Sequence, residues 1–304
     1  MSELPLPPAS RQLGASGIAV SPIAWGMWRL AEGGRTAAEA ARLVHAALDA
    51  GINFLDTADI YGFNGSGGFG DAEALLGEVL TAEPALRGRM VLATKGGIMP
   101  PLPYDQSADY LRKAIDASLT RLKTDTVELW QVHRPDILAH PQEVARVLDD
   151  AVAAGKIRTL GVSNFTIHQT AALNQFLGHK LVSTQPEISP LRIDCFENGE
   201  LDQAMMLGLT PLAWSPLGGG RLAKPESTRD NAICAALDKV AQEQGVSRSV
   251  AAYSWLMAHP AGIVPIIGSQ QVERIAEGAA ALTVRWTRTD WYAVLVAARG
   301  VPLP

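Results

Sequence analysis

The stretch INFLDTADIYG occupies residues 52–62 and contains the unit that recurs along the chain. It opens with a short apolar run, which predicts a strand covered on both faces. Asp56 lies at the end of that run, where polar side chains begin, and Tyr61 lies just beyond it. Helical patterns flank the stretch at 36–50 and 71–80. Strands that alternate with helices in this way are typical of a parallel sheet.

The same unit is found along the whole chain. Short apolar runs predict eight strands, at 23–28, 52–57, 90–95, 127–133, 159–162, 181–185, 210–214 and 263–267. Helical periodicity predicts helices at 36–50, 71–80, 107–122, 141–154, 167–177, 194–207, 230–244, 249–258, 271–282 and 290–298. The interval between the seventh and eighth strands is too long for one helix, so we expect an extra helix there.

Strict alternation predicts a parallel sheet, and eight units favour closure into a barrel over an open sheet. We therefore expect an α/β protein, a (β/α)8 TIM barrel with extra helices, in a single domain over residues 1–304. Residues 11–21 precede the first strand and carry the turn sequence Ala15-Ser16-Gly17. This segment predicts an N-terminal β-hairpin that plugs one end of the barrel.

The composition argues against several classes of protein. Hydrophobic residues make up 47% of the 304 residues and the formal net charge is -5, which argues against disorder and against a nucleic-acid partner. Neither Cys195 nor Cys234 belongs to a disulfide or zinc-binding pattern. We expect no signal sequence, no membrane partner and a cytoplasmic monomer or weak homo-oligomer.

Polar residues follow the carboxyl ends of the predicted strands. They are Asp56, Lys95, His133, Ser163, Asn164, Gln185, Trp214, Ser215, Gly268 and Ser269. In a (β/α)8 barrel this face carries the active site. Each residue alone has a plain structural interpretation, as a helix cap, a surface lysine, a packed histidine or a flexible turn. Their convergence on one rim favours a catalytic interpretation.

Four residues near this rim form a complete set for delivering a proton to a carbonyl oxygen. Tyr61 is the candidate acid, and a nearby ammonium group on Lys95 would lower the pKa of its phenol. Asp56 would pair with Lys95 and hold it in place. A neutral His133 would donate a hydrogen bond to the substrate oxygen. One histidine with one aspartate lacks the ligand count of a metal site, so no metal is predicted.

Seven short motifs together resemble the aldo-keto reductase superfamily. They are FLDTADIYG, ATKGG, LWQVHRPD, GVSNF, QPEISPL, WSPLGGG and IIGSQQVERIAEG, in the family's order, and the resemblance extends from about residue 11 to residue 282. It implies an oxidoreductase that transfers hydride from NADPH to the carbonyl of a small aldehyde or ketone, reversibly, with Tyr61 as the proton donor. NADPH is the expected cofactor because Arg274 remains for the 2′-phosphate, and NADH is left open as an alternative.

The resemblance also implies the cofactor contacts. These are Ser163, Asn164 and Gln185 for the nicotinamide carboxamide, Trp214 for stacking on the ring, Ser215, Leu217 and Gly218 for the pyrophosphate, and Gly268, Ser269, Arg274 and Glu277 for the 2′-phosphate and adenine. Two positions depart from the family pattern, because glycine replaces a common lysine at 268 and a common asparagine at 278. No GxGxxG follows the first strand, in agreement with a family that binds its cofactor without a Rossmann fold.

Two other functions stay open. One is a cofactor-binding regulatory or sensor subunit on the same fold, although the intact set of four residues weighs against it. The other is an unrelated barrel enzyme that holds a substrate phosphate at its Gly-rich turn. The substrate itself is not identified, since its shape would be set by loops 63–69, 98–106, 134–139 and 191–198 and the chain beyond 282. Trp28 and Trp130 either line the pocket or pack in the core.

Overall fold

The computed structural model describes residues 3–303. Its strands are β1 Arg11–Gln12, β2 Ala19–Val20, β3 Ala24–Gly26, β4 Phe54–Asp56, β5 Val91–Gly96, β6 Val127–Val132, β7 Ile157–Ser163, β8 Leu181–Gln185, β9 Thr210–Ala213 and β10 Val264–Ile267. Its α-helices are α1 Ala37–Asp49, α2 Asp71–Ala82, α3 Ala108–Leu122, α4 Pro141–Ala153, α5 Ile167–Phe176, α6 Glu200–Leu207, α7 Thr228–Gln244, α8 Arg248–Met257, α9 Val272–Glu277 and α10 Arg288–Arg299.

Strands β3 to β10 form a closed parallel barrel. Each strand pairs with the next along the chain, and β10 pairs with both β9 and β3. Helices surround the barrel, as expected when parallel strands are joined by helical crossovers. The (β/α)8 class and all eight predicted strands are therefore confirmed, with strand ends that differ from the predicted ones by at most a few residues.

The predicted N-terminal hairpin is present and closes one end of the barrel. β1 and β2 are antiparallel, and Leu13, Ile18 and Val20 pack with inward-facing barrel residues in one apolar cluster. The amide of Gly14 donates to Oγ1 of Thr210 at 2.8 Å, at the amino end of β9. The hairpin thus fills the amino end of the barrel with apolar side chains, and the opposite end is left for polar groups.

The helices begin at residues that cap their free backbone amides, and they pack on the outside of the barrel. Thr36 and Thr166 form capping boxes with Glu39 and Gln169 at the starts of α1 and α5. The apolar faces of the helices and the outward side chains of the strands form the larger core. No helix within residues 3–303 is long and apolar enough to cross a membrane.

Two predicted helices are wrong in part, and the expected extra helix is confirmed. The pattern at 194–207 is divided into a 3₁₀ turn and α6, because Gly199 has a φ of 88°, which ends helical geometry there. The pattern at 271–282 is divided at Gly278 into α9 and a 3₁₀ helix. The two helices α7 and α8 both lie between the seventh and eighth barrel strands.

Gly77 allows α2 and α3 to approach closely, and this contact is testable. A Cβ atom at Gly77 would lie 1.9 Å from the carbonyl oxygen of Arg121, whereas one at Gly88 would meet no atom within 4 Å. We expect Gly77→Ala to lower the free energy of unfolding by about 1–3 kcal/mol through overpacking, despite the better helix propensity of alanine. Urea denaturation of both variants measures this, and Gly88→Ala should stay within about 0.5 kcal/mol of the parent. Equal stabilities for the two variants would contradict the packing argument.

Candidate active site

Four polar side chains come together at the carboxyl end of the barrel. Asp56 is the last residue of β4, Lys95 lies near the end of β5, and His133 directly follows β6. Tyr61 lies in the turn after β4 and is half-buried. Residues distant in sequence meet here because the carboxyl ends of neighbouring parallel strands form one rim.

Lys95 and Asp56 form a fully buried ion pair. Nζ of Lys95 donates to Oδ2 of Asp56 at 2.5 Å and to the carbonyl oxygen of Thr57 at 2.8 Å. Lys95 is 0% exposed and Asp56 is 2% exposed. Burial is the largest single influence and lowers the pKa of Lys95, but the charge of Asp56, the phenol oxygen of Tyr61 and the hydrogen bonds to both together raise it, so the lysine stays charged. The predicted pairing is thus present in the structure.

Tyr61 lies directly over this pair. Nζ of Lys95 is 4.9 Å from the centroid of the Tyr61 ring, and the rings of Tyr61 and His133 meet edge to face at 5.9 Å. Burial raises the pKa of the Tyr61 phenol, Lys95 lowers it and Asp56 raises it, with a net upward direction. The sequence therefore predicts correctly that Lys95 lowers the pKa of Tyr61. It does not predict the larger effect of burial, which raises that pKa.

His133 is a neutral imidazole in this environment. Burial, followed by the positive charges of Lys95 and Arg134, holds its pKa well below the usual range. Its Nδ1 is buried and has no hydrogen-bond partner in the described chain. An unpartnered acceptor is tolerated better than an unpartnered N–H donor, so the tautomer with its proton on Nε2 is favoured. That proton is then free for a substrate oxygen.

The residues assigned to the nicotinamide carboxamide form a second cluster beside the first. Nδ2 of Asn164 donates to Oγ of Ser163 at 2.8 Å, and Nε1 of Trp214 donates to Oδ1 of Asn164 at 3.0 Å. Oγ of Ser163 donates to the carbonyl oxygen of Gln185 at 2.9 Å. These bonds fix the edge of the Trp214 ring. Its ring also lies 6.0 Å from the guanidinium carbon of Arg134, whose guanidinium group has no hydrogen bond or ion pair within residues 3–303.

The Gly-rich turn after β9 uses several of its backbone amides in its own hydrogen bonds. Ser215 and Gly218 have φ values of 55° and 60°, so the turn is tightly curled. The amides of Gly218 and Gly219 are used within the turn, by the carbonyl oxygen and Oγ of Ser215. Leu217 keeps an amide with no partner in the described part of the chain. Gly218 itself is required by packing, since a Cβ there would lie 2.4 Å from Cδ1 of Leu191.

The segment after β10 carries the residues assigned to the 2′-phosphate and adenine. Gly268, Arg274 and Glu277 are exposed, and Ser269 is half-buried. Arg274 forms no ion pair with either neighbouring glutamate within residues 3–303, so its guanidinium is free. A Cβ at Gly268 would meet nothing within 4 Å, whereas one at Gly278 would lie 2.2 Å from Cδ1 of Ile267. The two departures from the family pattern therefore differ: position 268 has room for a side chain and position 278 has none.

Sequence reasoning missed several buried polar residues near this site. Gln131 is 0% exposed, and its Nε2 donates to Oδ1 of Asp56 at 3.3 Å. Asp59 is 1% exposed, and its Oδ2 accepts a long 3.4 Å hydrogen bond from the hydroxyl of Tyr110. A glutamine or aspartate within an otherwise apolar run could have pointed to them. The described residues contain no group of three or more His, Cys, Asp or Glu side chains placed to hold a metal.

The two tryptophans that the sequence left open have different roles. Trp130 is 1% exposed and packs in the core, whereas Trp28 is 61% exposed. The loop at 134–139 is similarly open, with Ile137 at 87% and Leu138 at 92% exposed. Apolar side chains thus project from the chain close to the carboxyl ends of β3 and β6.

The buried carboxyl of Asp59 should make stability depend on pH. Burial, with the nearby charge of Glu73, raises its pKa well above the usual range. Above about pH 4 the carboxyl ionises in the unfolded chain but stays protonated in the folded one, so the free energy of unfolding falls as pH rises towards the folded pKa. We expect Asp59→Asn to remove this loss, so that its advantage over the parent grows from pH 5 to pH 8.

Chemical denaturation at several pH values measures the difference between parent and variant. Asp109→Asn is the matched control, because that carboxylate lies on α3 with a side chain 91% exposed. A constant difference between parent and Asp59→Asn across the range would contradict a buried neutral acid.

Comparisons with known proteins agree with this geometry. A model of the aldo/keto reductase family matches residues 22–295. A 6-dehydroglucose reductase of Novosphingobium aromaticivorans is 83% identical over 304 residues, which are 100% of both chains. A 6-dehydroglucose reductase of Agrobacterium fabrum is 38% identical over 291 residues, 92% of this chain and 95% of the relative.

A solved structure is similar in fold. It is a thermostable aldo-keto reductase in complex with the inhibitor epalrestat, with a TM-score of 0.82, and the match covers 95% of this chain and 99% of that one. The sequence identity is 24%, so this similarity concerns the fold alone.

Proposed function

This chain belongs to the aldo/keto reductase family, and on that premise we propose that it reduces an aldehyde to an alcohol with NADPH, with Tyr61 as the proton donor. Aldo/keto reductases typically use nicotinamide cofactors. The observation that carries the proposal is the buried Lys95–Asp56 pair beneath the Tyr61 ring. Burying a charged lysine costs several kcal/mol. The role in catalysis proposed for Lys95 explains why the chain retains it.

The reaction requires a hydride on the carbonyl carbon and a proton on the carbonyl oxygen. When bound, a nicotinamide cofactor would supply the hydride. Tyr61 supplies the proton, since negative charge develops on the oxygen as the hydride arrives. Lys95 stabilises the phenolate that remains on Tyr61, and Asp56 keeps Lys95 charged and in place. Neutral His133 donates a hydrogen bond to the same oxygen and orients it.

The residues present fit a nicotinamide dinucleotide. Trp214 offers an aromatic face at the rim, and Ser163, Asn164 and Gln185 offer polar groups for the carboxamide. Ser215, the free Leu217 amide and Gly218 would hold the pyrophosphate. The exposed segment after β10 would take the adenylate, with Ser269 and the unpaired Arg274 at the 2′-phosphate and Gly268 and Glu277 beside them.

We propose a sugar aldehyde as the substrate. The relative that is 83% identical over its full length is a 6-dehydroglucose reductase, and the second relative at 38% identity has the same name. In this reaction the aldehyde carbon at position 6 of the sugar would become a primary alcohol. The exposed Trp28 and the unpaired Arg134 are rim groups suited to a sugar ring and its hydroxyls.

The activity test compares the parent with Tyr61→Phe on 6-dehydroglucose and NADPH, followed by the loss of NADPH absorbance. The substitution keeps the ring and removes only the acid, so we expect kcat to fall by roughly 10²–10⁴-fold with NADPH affinity nearly unchanged. Tyr292→Phe, on α10, is the control and should behave like the parent. Near-parental turnover by Tyr61→Phe would overturn the role of Tyr61. Tight NADPH binding with no reduction of any aldehyde by the parent would instead support a regulatory or sensor subunit.

Cofactor preference gives a separate test at the segment after β10. Arg274→Ala should weaken NADPH by roughly 2–3 kcal/mol, the size of a hydrogen bond to a charged group, and leave NADH nearly unchanged. Gly268→Lys should strengthen NADPH selectively, because position 268 has open space around it. Titration by tryptophan fluorescence measures the affinities of NADPH and NADH for the parent and each variant, with Arg146→Ala on α4 as the control. Equal losses for NADPH and NADH in Arg274→Ala would contradict the assignment.

A further inference from the structure

The carboxylate of Asp56 is held from two sides. Its Oδ2 faces Lys95, whereas its Oδ1 accepts from Nε2 of Gln131 at 3.3 Å and from Nε2 of Gln185 at 3.1 Å. Gln131 and Gln185 are 0% and 1% exposed. Burying a side-chain amide inside a barrel costs free energy unless the amide is hydrogen-bonded. Their convergence on one oxygen therefore calls for an explanation.

The barrel leaves room for this arrangement at one position. Register pairs Lys95 with Gln131, Gln131 with Gly161, and Gly161 with Ser183, so these four residues form one row across β5 to β8. A Cβ at Gly161 would lie 2.1 Å from Oγ of Ser183 and 3.0 Å from Cγ of Gln131. The missing side chain of Gly161 thus provides space for the side chains of Ser183 and Gln131, and so for the amide of Gln131 that reaches Asp56.

The chemistry of the partners determines how the amides point. A carboxylate only accepts hydrogen bonds, so Gln131 and Gln185 must both turn Nε2 towards Asp56. Oε1 of Gln131 then accepts long hydrogen bonds from Ser183 and Gln185, each at 3.5 Å. Oε1 of Gln185 makes no hydrogen bond within residues 3–303. Gln185 is therefore left with one free acceptor and a fixed orientation.

We propose that Gln131 is a positioning residue that fixes both Asp56 and Gln185, and so links the nicotinamide pocket to the Lys95–Asp56 pair. The proposal rests on the function proposed above. Its consequence is specific: Gln185 presents a carbonyl oxygen to the cofactor carboxamide, whose amino group can donate to it. A cofactor that contacts the side-chain amide of Gln185 would thereby act on Asp56, because the same amide donates to Asp56. Gln131 keeps the amide of Gln185 from rotating.

Two substitutions at position 131 distinguish positioning from simple packing. Gln131→Met keeps the length of the side chain and removes the amide. Gln131→Glu restores a donor when its carboxyl is protonated, because a protonated acid can donate to Asp56 as the amide does. As pH rises the donor is lost and two carboxylates repel each other. Leu129→Met, on the same strand and in the apolar cluster below, is the matched control.

The titratable groups around the new carboxyl are few. Asp56 contacts Gln131 and Lys95 is its neighbour in the row, whereas Tyr61 contacts Lys95 and His133 contacts Tyr61. The row across β7 and β8 contributes only the uncharged Gly161 and Ser183. The negative charge of Asp56 and burial both raise the pKa of a glutamate here, whereas Lys95 lowers it. A new pH dependence in the glutamate variant, absent from the methionine variant, would therefore report this contact.

The measurements are kcat with saturating 6-dehydroglucose, KM for the aldehyde and the dissociation constant of NADPH by tryptophan fluorescence, from pH 5.5 to pH 9. For Gln131→Met we expect kcat to fall roughly tenfold to a hundredfold and NADPH to bind about three to ten times more weakly at every pH, with KM changed less than about threefold. For Gln131→Glu we expect values near the parent at pH 5.5 and a progressive loss towards pH 9. Leu129→Met should stay within about twofold of the parent.

Parental kcat and NADPH affinity in Gln131→Met, or a glutamate variant with no pH dependence of its own, would overturn the proposal. A loss of thermal stability with unchanged kinetics would show that Gln131 only packs. If the parent binds NADPH but reduces no aldehyde, the proposed function fails, and the NADPH affinities of the variants still decide the role of Gln131.

Discussion

The buried contact between Lys95 and Asp56 is the constraint on which the carboxyl end of the barrel depends. Removing one partner of such a pair leaves an uncompensated charge and costs about 3–5 kcal/mol. The chain surrounds the pair with further polar partners: the carbonyl oxygen of Thr57 for the ammonium, and two side-chain amides for the carboxylate. A lysine that is 0% exposed and still charged is retained at a cost in stability, which is characteristic of functional sites.

The barrel interior is accordingly divided into two layers. At the amino end, Leu13 and Val20 of the hairpin pack with Phe54 and Leu129 in a wholly apolar cluster. One step towards the carboxyl end the inward residues become polar, and Gly161 provides the space that they need. Apolar packing stabilises the closed barrel, and that stability offsets the cost of burying a few charged groups.

The two parts of the rim differ in how far their hydrogen bonds are satisfied. The charged groups of Lys95 and Asp56 are engaged in hydrogen bonds with each other and with buried neighbours. Some of the groups assigned to cofactor and substrate are instead free: the Leu217 amide and the Arg134 and Arg274 guanidiniums have no hydrogen-bond or ion-pair partner within residues 3–303. Preorganised chemistry beside uncommitted binding groups is what catalysis of a bound substrate requires.

The sequence by itself determined the eight strands, the hairpin and the family, and it named the four side chains that the structure brings together at the rim, because apolar runs and short motifs are local patterns. Only the tertiary structure decided what depends on contacts between distant segments. It joined Gln131 and Gln185 on Asp56, it left no room for a side chain at Gly278, and it raised the pKa of Tyr61 where the sequence had predicted a decrease. It also began α6 later and ended α9 earlier than periodicity indicated. The physical reason is burial: the desolvation of a group and the space around it are properties of the packed barrel, which no local pattern contains.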